Sequence, residues 1–245
     1  MNKKNIEDKL ITDFGNEWLS FDQIDLSLDE KKKIFDDYFS IFPKKFLNKQ
    51  NKGFDLGSGS GRWAFFVAPH VQELICIEPS KAIEVSKLNL SKFKNIEFLQ
   101  EKVSDLSIKN ESMDFGYSLG VLHHILDTQA ALKICVKKLK PGAPFLLYLY
   151  YNLDNKPIIF RFIFKISNFV RIFISKLPFL LKKNICTIIA IFIYYPLARI
   201  SKFLNYLNIS TKNIPLSYYS DKSFYIMQND SLDRFGTKIE KRYSK

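Results

Sequence analysis

Gly53-Phe54-Asp55-Leu56-Gly57-Ser58-Gly59-Ser60-Gly61-Arg62-Trp63 is the stretch on which the fold of this chain turns. An apolar strand tipped by Asp55 runs into three alternating glycines, and Arg62 to Ala68 reads as a helix. Strand, glycine turn and helix together make a nucleotide cradle. Without a Cβ, Gly57, Gly59 and Gly61 allow a sharp turn and let a flat ligand lie against the main chain, while the helix start offers its free N–H groups.

The spacing selects the ligand. A dinucleotide fold wants G-x-G-x-x-G, with its last glycine where Arg62 stands here. The pattern is D-x-G-x-G-x-G instead, and a carboxylate two residues before the first glycine repels a pyrophosphate but suits a cation. S-adenosylmethionine carries a sulfonium and an ammonium and fits that requirement. The stretch resembles the cofactor loop of the class I S-adenosylmethionine-dependent methyltransferases.

Downstream segments extend the resemblance. Glu73 to Ile77 is a second strand, and Glu78-Pro79-Ser80 follows it. An acid at this tip, about twenty positions past the loop, is where such folds hold ribose hydroxyls. A helix from Lys81 to Phe93 and a third strand, Ile96 to Leu99, come next. In the family, the position of Ser104-Asp105 holds the adenine. The fourth strand and its exit, Ser112 to His124, look like the small-molecule (type 11) branch, whose strand tip, here Ser118-Leu119, lies under the transferred methyl. The resemblance makes His124, or His123, the candidate base at the start of the following helix. Enzymes acting on base amino groups carry an Asn-Pro-Pro or Asp-Pro-Pro aromatic tetrad at this tip, and Ser118 to Val121 departs from it. Asp127 caps a helix over Thr128 to Leu139, and Ala143 to Tyr151 is a continuous apolar run fit for a buried parallel strand.

Five strands separated by helical segments predict an α/β, Rossmann-like, doubly wound and mostly parallel sheet. Residues 1–51 are expected to be a helical N-terminal lid, with Ser27 to Phe42 an amphipathic helix stopped by Pro43 and with Trp18 and Phe21 closing over cofactor or substrate. Residues 52–154 form the cofactor-binding core, and 155–245 a basic, aromatic helical cap. The family finishes its sheet with a helix and an antiparallel hairpin. No such strand pair is legible after Tyr151, so either the natural end lies past Lys245 or the sheet is finished differently. The fifth strand would then be an apolar edge unless the cap covers it.

Charge is unevenly placed. The chain of 245 residues has a formal net charge of +12, and from Asn155 to Ser220 there are ten Lys or Arg and no acid. Pro157 to Leu177 reads as one amphipathic helix, with Arg161, Lys165, Asn168, Arg171 and Ser175 on one face and Ile and Phe on the other. Pro178 ends it. A second helix runs from Leu180 to Tyr195, before Pro196. Its apolar run after Asn184 is shorter than the ~20 residues a bilayer requires, so a transmembrane helix is rejected. Two readings stay open: an element lying on an anionic lipid surface, or a cap whose apolar side closes the active site and whose basic side is solvated. Tyr150, Tyr151, Tyr218 and Tyr219, with Trp18, are candidate substrate contacts.

Cys76, Cys135 and Cys186 sit apart in apolar runs and read as reduced core residues; no metal site is expected. Met1 to Asp8 has no apolar run behind its lysines, so no signal peptide is expected and a cytoplasmic location follows, with peripheral membrane contact open. The expected activity is methyl transfer to a small or lipid-linked polar acceptor. The alternatives are a membrane-surface module on an inactive nucleotide fold and an RNA-directed methyltransferase. Nucleic acid is disfavoured as a partner because the basic residues alternate with bulky aliphatics.

Overall fold

The computed structural model describes residues 3–244. By internal packing the chain divides at Tyr150/Tyr151 into two compact units, with Ile239–Tyr243 belonging to the first. Residues 3–51 group with the sheet in that first unit.

The first unit opens with α1 (Lys3–Ser20) and α2 (Leu28–Phe39). The Ser27 side chain accepts from the Glu30 N–H, satisfying one of the free donors of the first turn of α2. Then come β1 (Lys52–Leu56), α3 (Ala64–Val67), β2 (Glu73–Ile77), α4 (Ala82–Asn89), β3 (Ile96–Leu99), β4 (Phe115–Leu119), α5 (Thr128–Lys138) and β5 (Phe145–Tyr148). All strand pairs are parallel, in the order β3-β2-β1-β4-β5, with Asp55 beside Cys76 on one side and Tyr117 on the other. The expected doubly wound sheet is present. The elements are shorter than their hydrophobic runs: α3 gives way to a 3-10 turn at Ala68–His70, which carries Pro69.

Side-chain alternation along the strands separates two packed faces. Phe54, Leu56, Ile75 and Ile77 join Ala131, Cys135 and Leu139 in one core. On the other face Phe39 meets Tyr117 at 5.3 Å and Phe42 meets Phe115 at 5.8 Å. The strands can approach because Gly53 lacks a side chain. A Cβ there would stand 2.2 Å from the Phe115 ring, which is fully buried. Gly53→Ala is therefore expected to cost about 2–3 kcal/mol by overpacking, lowering Tm by roughly 5–10 °C in a thermal melt.

The backbone just after β5 and that at His123 are met by residues 241–243, a pairing that no sequence pattern announces. The Tyr243 N–H donates to the Tyr150 carbonyl at 2.9 Å, and the Lys241 N–H donates to the His123 carbonyl at 3.1 Å.

The second unit is helical: α6 (Ile158–Ile174), α7 (Phe179–Ile189), α8 (Tyr195–Tyr206) and α9 (Phe224–Gly236). Within the expected helical cap α9 was not singled out by the sequence, although Ser223 caps it by accepting from the Ile226 N–H. Pro196 does not end the preceding helix. A π-turn at Ala190–Tyr194 takes up the missing donor, so α7 and α8 run on as one helix, Phe179–Tyr206, of 28 residues. By length and composition it is long enough to cross a membrane, which corrects the expectation that no segment is.

The face presented by α6 also differs. Only the later part of its polar stripe turns inward, at Arg171 and Ser175, while Arg161 and Lys165 stay exposed and most of its apolar side is exposed as well, so its aliphatics are not packed as the cap reading expected. Arg171 is buried, donating to the carbonyls of Thr237 and Lys238 at 2.8 and 3.1 Å, while Ile159, Phe162 and Phe169 are exposed.

Candidate functional site

The site is built at the carboxyl ends of β1, β2 and β4, where the strand order reverses around β1. Gly57 and Gly59 adopt φ of +77° and +54°, a region that side chains disfavour. Both are also crowded: a Cβ on Gly57 would lie 2.4 Å from Val121, and one on Gly59 would lie 2.9 Å from the Trp18 ring. The loop is pinned to its neighbour, since the N–H groups of Gly57 and Ser58 donate to the Ile77 carbonyl at 2.8 and 3.1 Å.

Glu78 holds the loop from below. One carboxylate oxygen accepts from the Gly59 N–H at 3.1 Å and the other from the Ser80 N–H at 3.0 Å. The side chain faces the glycines. Burial raises its pKa, and the hydrogen bonds from Ser80 and Gly59 oppose the rise. Pro79 follows, half-buried.

Asp55 differs. It is wholly buried, and no protein donor meets either oxygen in good geometry. Tyr117 stands beside it in the β1–β4 register and lowers the carboxyl's pKa in part, yet the two groups do not form a well-aligned hydrogen bond. Burial dominates and pushes the carboxyl up to about 8. The Ser58 and Ser60 hydroxyls are buried without partners as well. A cluster of unsatisfied polar oxygens beneath a glycine turn is costly unless a ligand supplies donors. The residues therefore fit the ammonium-bearing cofactor that the sequence implies.

The other expected cofactor positions occupy the same end of the sheet. Ser104 and Asp105 lie exposed on the turn after β3 and share a 3.1 Å hydrogen bond. Ser118 spends its hydroxyl on the Leu56 carbonyl at 3.1 Å, joining β4 to β1, and Leu119 is buried at the tip of β4.

The two histidines differ in environment. His123 is fully buried, stacks on Tyr150 at 3.8 Å, and is pushed down to about 2 by burial, then by its neighbours His124 and Arg242. A ring so held stays neutral. His124 donates from Nδ1 to the Ile239 carbonyl at 2.6 Å, which leaves the lone pair on Nε2, and Phe14 of α1 lies 4.9 Å from its ring.

Lid residues reach the same loop: Trp18 lies on Gly59, and the Arg62 guanidinium lies over Trp63 at 4.3 Å and Trp18 at 5.2 Å. Phe21 is buried. Tyr218 and Tyr219 belong to the second unit, as does Tyr151; the Tyr219 hydroxyl donates to Asp230 at 2.9 Å. Sequence reasoning missed Val121, Tyr117, Phe14 and Ile239. Val121 was within the quoted exit loop; the other three need register or tertiary contact to be found. Among the described residues no group of three or more His, Cys, Asp or Glu could hold a metal ion.

Comparison with known proteins gives concordant findings. A family described as "Methyltransferase domain" matches residues 54–147. The uncharacterized methyltransferase YcgJ of Bacillus subtilis is 26% identical over 117 residues, 46% of this chain and 46% of that protein. The crystal structure of YcgJ aligns with TM-score 0.47 at 25% identity, covering 55% of this chain and 58% of the other. Phosphoethanolamine N-methyltransferase 1 of Haemonchus contortus, solved with phosphoethanolamine and S-adenosylhomocysteine, aligns with TM-score 0.47 at 16% identity over 57% and 31% of the two chains. The chain thus spans about half the length of the curated relative it matches. Residues 54–147, from the glycine cradle to the fifth strand, thus match a family described as a methyltransferase domain.

Proposed function

We propose that this protein transfers the methyl group of S-adenosylmethionine to a polar acceptor, small or lipid-linked, with His124 as the base. One observation carries the reading: Asp55 is buried beneath the glycine turn with both oxygens unmet, in a site whose other acid, Glu78, is already held by Gly59. Asp55 would hold the ammonium end of the cofactor and Glu78 the ribose, with Asp105 at the adenine. The bound cofactor supplies an activated methyl on a sulfonium. The protein's share is alignment and exclusion of water, worth roughly 7–11 kcal/mol in the best model systems.

A hydroxyl acceptor has to lose its proton as the new bond forms. His124 Nε2 carries the lone pair that takes it, because Nδ1–H is committed to Ile239. His123 is kept neutral and stacked, and its part is to support Tyr150 and the backbone that carries His124.

Titration calorimetry with S-adenosylmethionine tests the cofactor, and saturable binding is the expected result. Replacing His124 with Ala should lower turnover by about 100-fold or more while leaving cofactor affinity within about twofold. An unchanged turnover would demote His124 to a structural role.

A further inference from the structure

In the second unit many large apolar side chains face outward while Arg171, Lys182 and Lys222 are buried. Leu19, Ile24, Leu28, Ile41, Leu88 and Val136 apart, every large hydrophobic side chain exposed among the described residues lies in this unit. Ile159, Phe162, Phe169, Leu180 and Phe192 are all more than 60% exposed. Its interior holds cations beside apolar residues such as Ile174, Ile226, Met227, Leu232 and Phe235. Arg171 donates to Thr237 and Lys238, the Lys182 ammonium to the Gly236 carbonyl at 3.2 Å, and Arg234 to the Ser167 hydroxyl at 3.1 Å. Along the continuous α7–α8 helix the inward positions are Cys186, Ala190, Tyr194, Ala198 and Ser201. In water this arrangement exposes a far larger apolar patch than a monomer ordinarily carries.

What covers the patch can be argued from charge. Arg161, Lys165, Lys176 and Lys202 are exposed among these aliphatics, and no acid occurs from Asn155 to Ser220. A second copy brought face to face would set these cations against themselves, whereas an anionic lipid surface meets them with opposite charge. Phe179–Tyr206 is long enough to span a bilayer, but spanning is disfavoured by the charges along it, Lys182 and Lys183 on one side and Arg199 and Lys202 on the other. The uncharged part of α7–α8, Asn184 to Ala198, rises about 22 Å at ~1.5 Å per residue, short of a ~30 Å hydrocarbon core. α7 also packs on α9, which carries Asp230, Asp233 and Arg234.

We propose that the second unit docks in the surface of an anionic lipid bilayer, seating the outward Ile and Phe side chains of α6 and of α7–α8 among the lipids, with the interspersed Lys and Arg at the headgroups. The docking is independent of methyl transfer. It places any lipid-linked acceptor within the same plane as the protein.

Co-sedimentation of the full chain with vesicles of phosphatidylcholine and phosphatidylglycerol at 7:3, against pure phosphatidylcholine, tests it. Binding at least tenfold stronger to the anionic vesicles is expected, weakening severalfold or more as NaCl rises from about 0.1 to 0.5 M. The double substitution Phe162→Glu, Phe169→Glu removes exposed side chains that support no core, and should lower binding at least tenfold while S-adenosylmethionine binding is unchanged. Ile41→Glu, at a more exposed side chain in the first unit, should leave vesicle binding as it is. Absence of binding to anionic vesicles overturns the proposal, as does equal binding by the Phe double variant. A homodimer that this variant dissolves, without vesicle binding, assigns the face to a second copy instead. Resistance of the bound protein to alkaline carbonate extraction overturns docking in favour of a spanning helix. Loss of cofactor binding in the wild type would strike the methyltransferase reading alone.

Discussion

Asp55→Asn should stabilise the protein and cripple its cofactor binding in the same substitution. The carboxyl is wholly buried and its pKa lies near 8 in the folded chain, against 3.8 as a free side chain. For an acid whose folded pKa is raised, the unfolded chain ionises first as pH rises. Between about pH 4 and 8 the folded state therefore holds a proton that the unfolded state has lost, and stability falls with pH across that window. Four units correspond to about 5 kcal/mol at full expression. Asparagine has nearly the same shape and no ionisation. Urea unfolding at pH 5 and pH 8 should show the wild type losing several kcal/mol more than the variant between the two. The ionised carboxylate is what a cationic ligand meets, so wild-type affinity for S-adenosylmethionine should tighten as pH approaches 8. The variant should bind about 100-fold more weakly, with a flat profile. Equal affinity in the two proteins would remove Asp55 from the site.

Gly59→Arg is the second large effect. The added Cβ meets the Trp18 ring at 2.9 Å and is forced into φ +54°, at the point where the Gly59 N–H donates to Glu78. Loss of saturable cofactor binding is expected, at least 100-fold by calorimetry. Backbone strain alone is controlled by Gly142→Ala. Gly142 has φ +79° with nothing within 4 Å of its Cβ, so that variant should lose only about 1–2 kcal/mol of stability and bind normally. If both variants bind as the wild type does, the cradle is not the cofactor site.

Much of the fold was legible because its signals are local. The acid-led glycine turn, the apolar run of Glu73 to Ile77, and Asp127, whose side chain accepts from the Ala130 N–H, each act within a few residues of chain, and the structure keeps all three. Helix α9 was not singled out because its apolar residues are interrupted by Asn229, Asp230 and Asp233, and Asp230 accepts from Tyr219, outside the helix. Pro196 misled for a related reason: the backbone donor it lacks is absorbed by a π-turn, which no residue type announces.

The site divides in the same way. Residue order placed Asp55, the glycines and Glu78 together, since consecutive parallel strands put their carboxyl ends on one edge of the sheet. The difference between His123 and His124 could not be read from adjacent identical residues. It comes from Ile239, 115 positions from His124, whose carbonyl fixes one tautomer, and from burial that silences the other ring.

The pattern of residues alone determined a parallel nucleotide-type sheet with an acid-led cradle, because hydrophobic periodicity and glycine placement are properties of short segments. Only the tertiary structure decided that Asp55 lies unsatisfied, that Ile239 returns to His124, and that α6 turns most of its Ile and Phe side chains outward. An amphipathic helix has the same sequence whichever way it faces, and the direction is set by what packs against it.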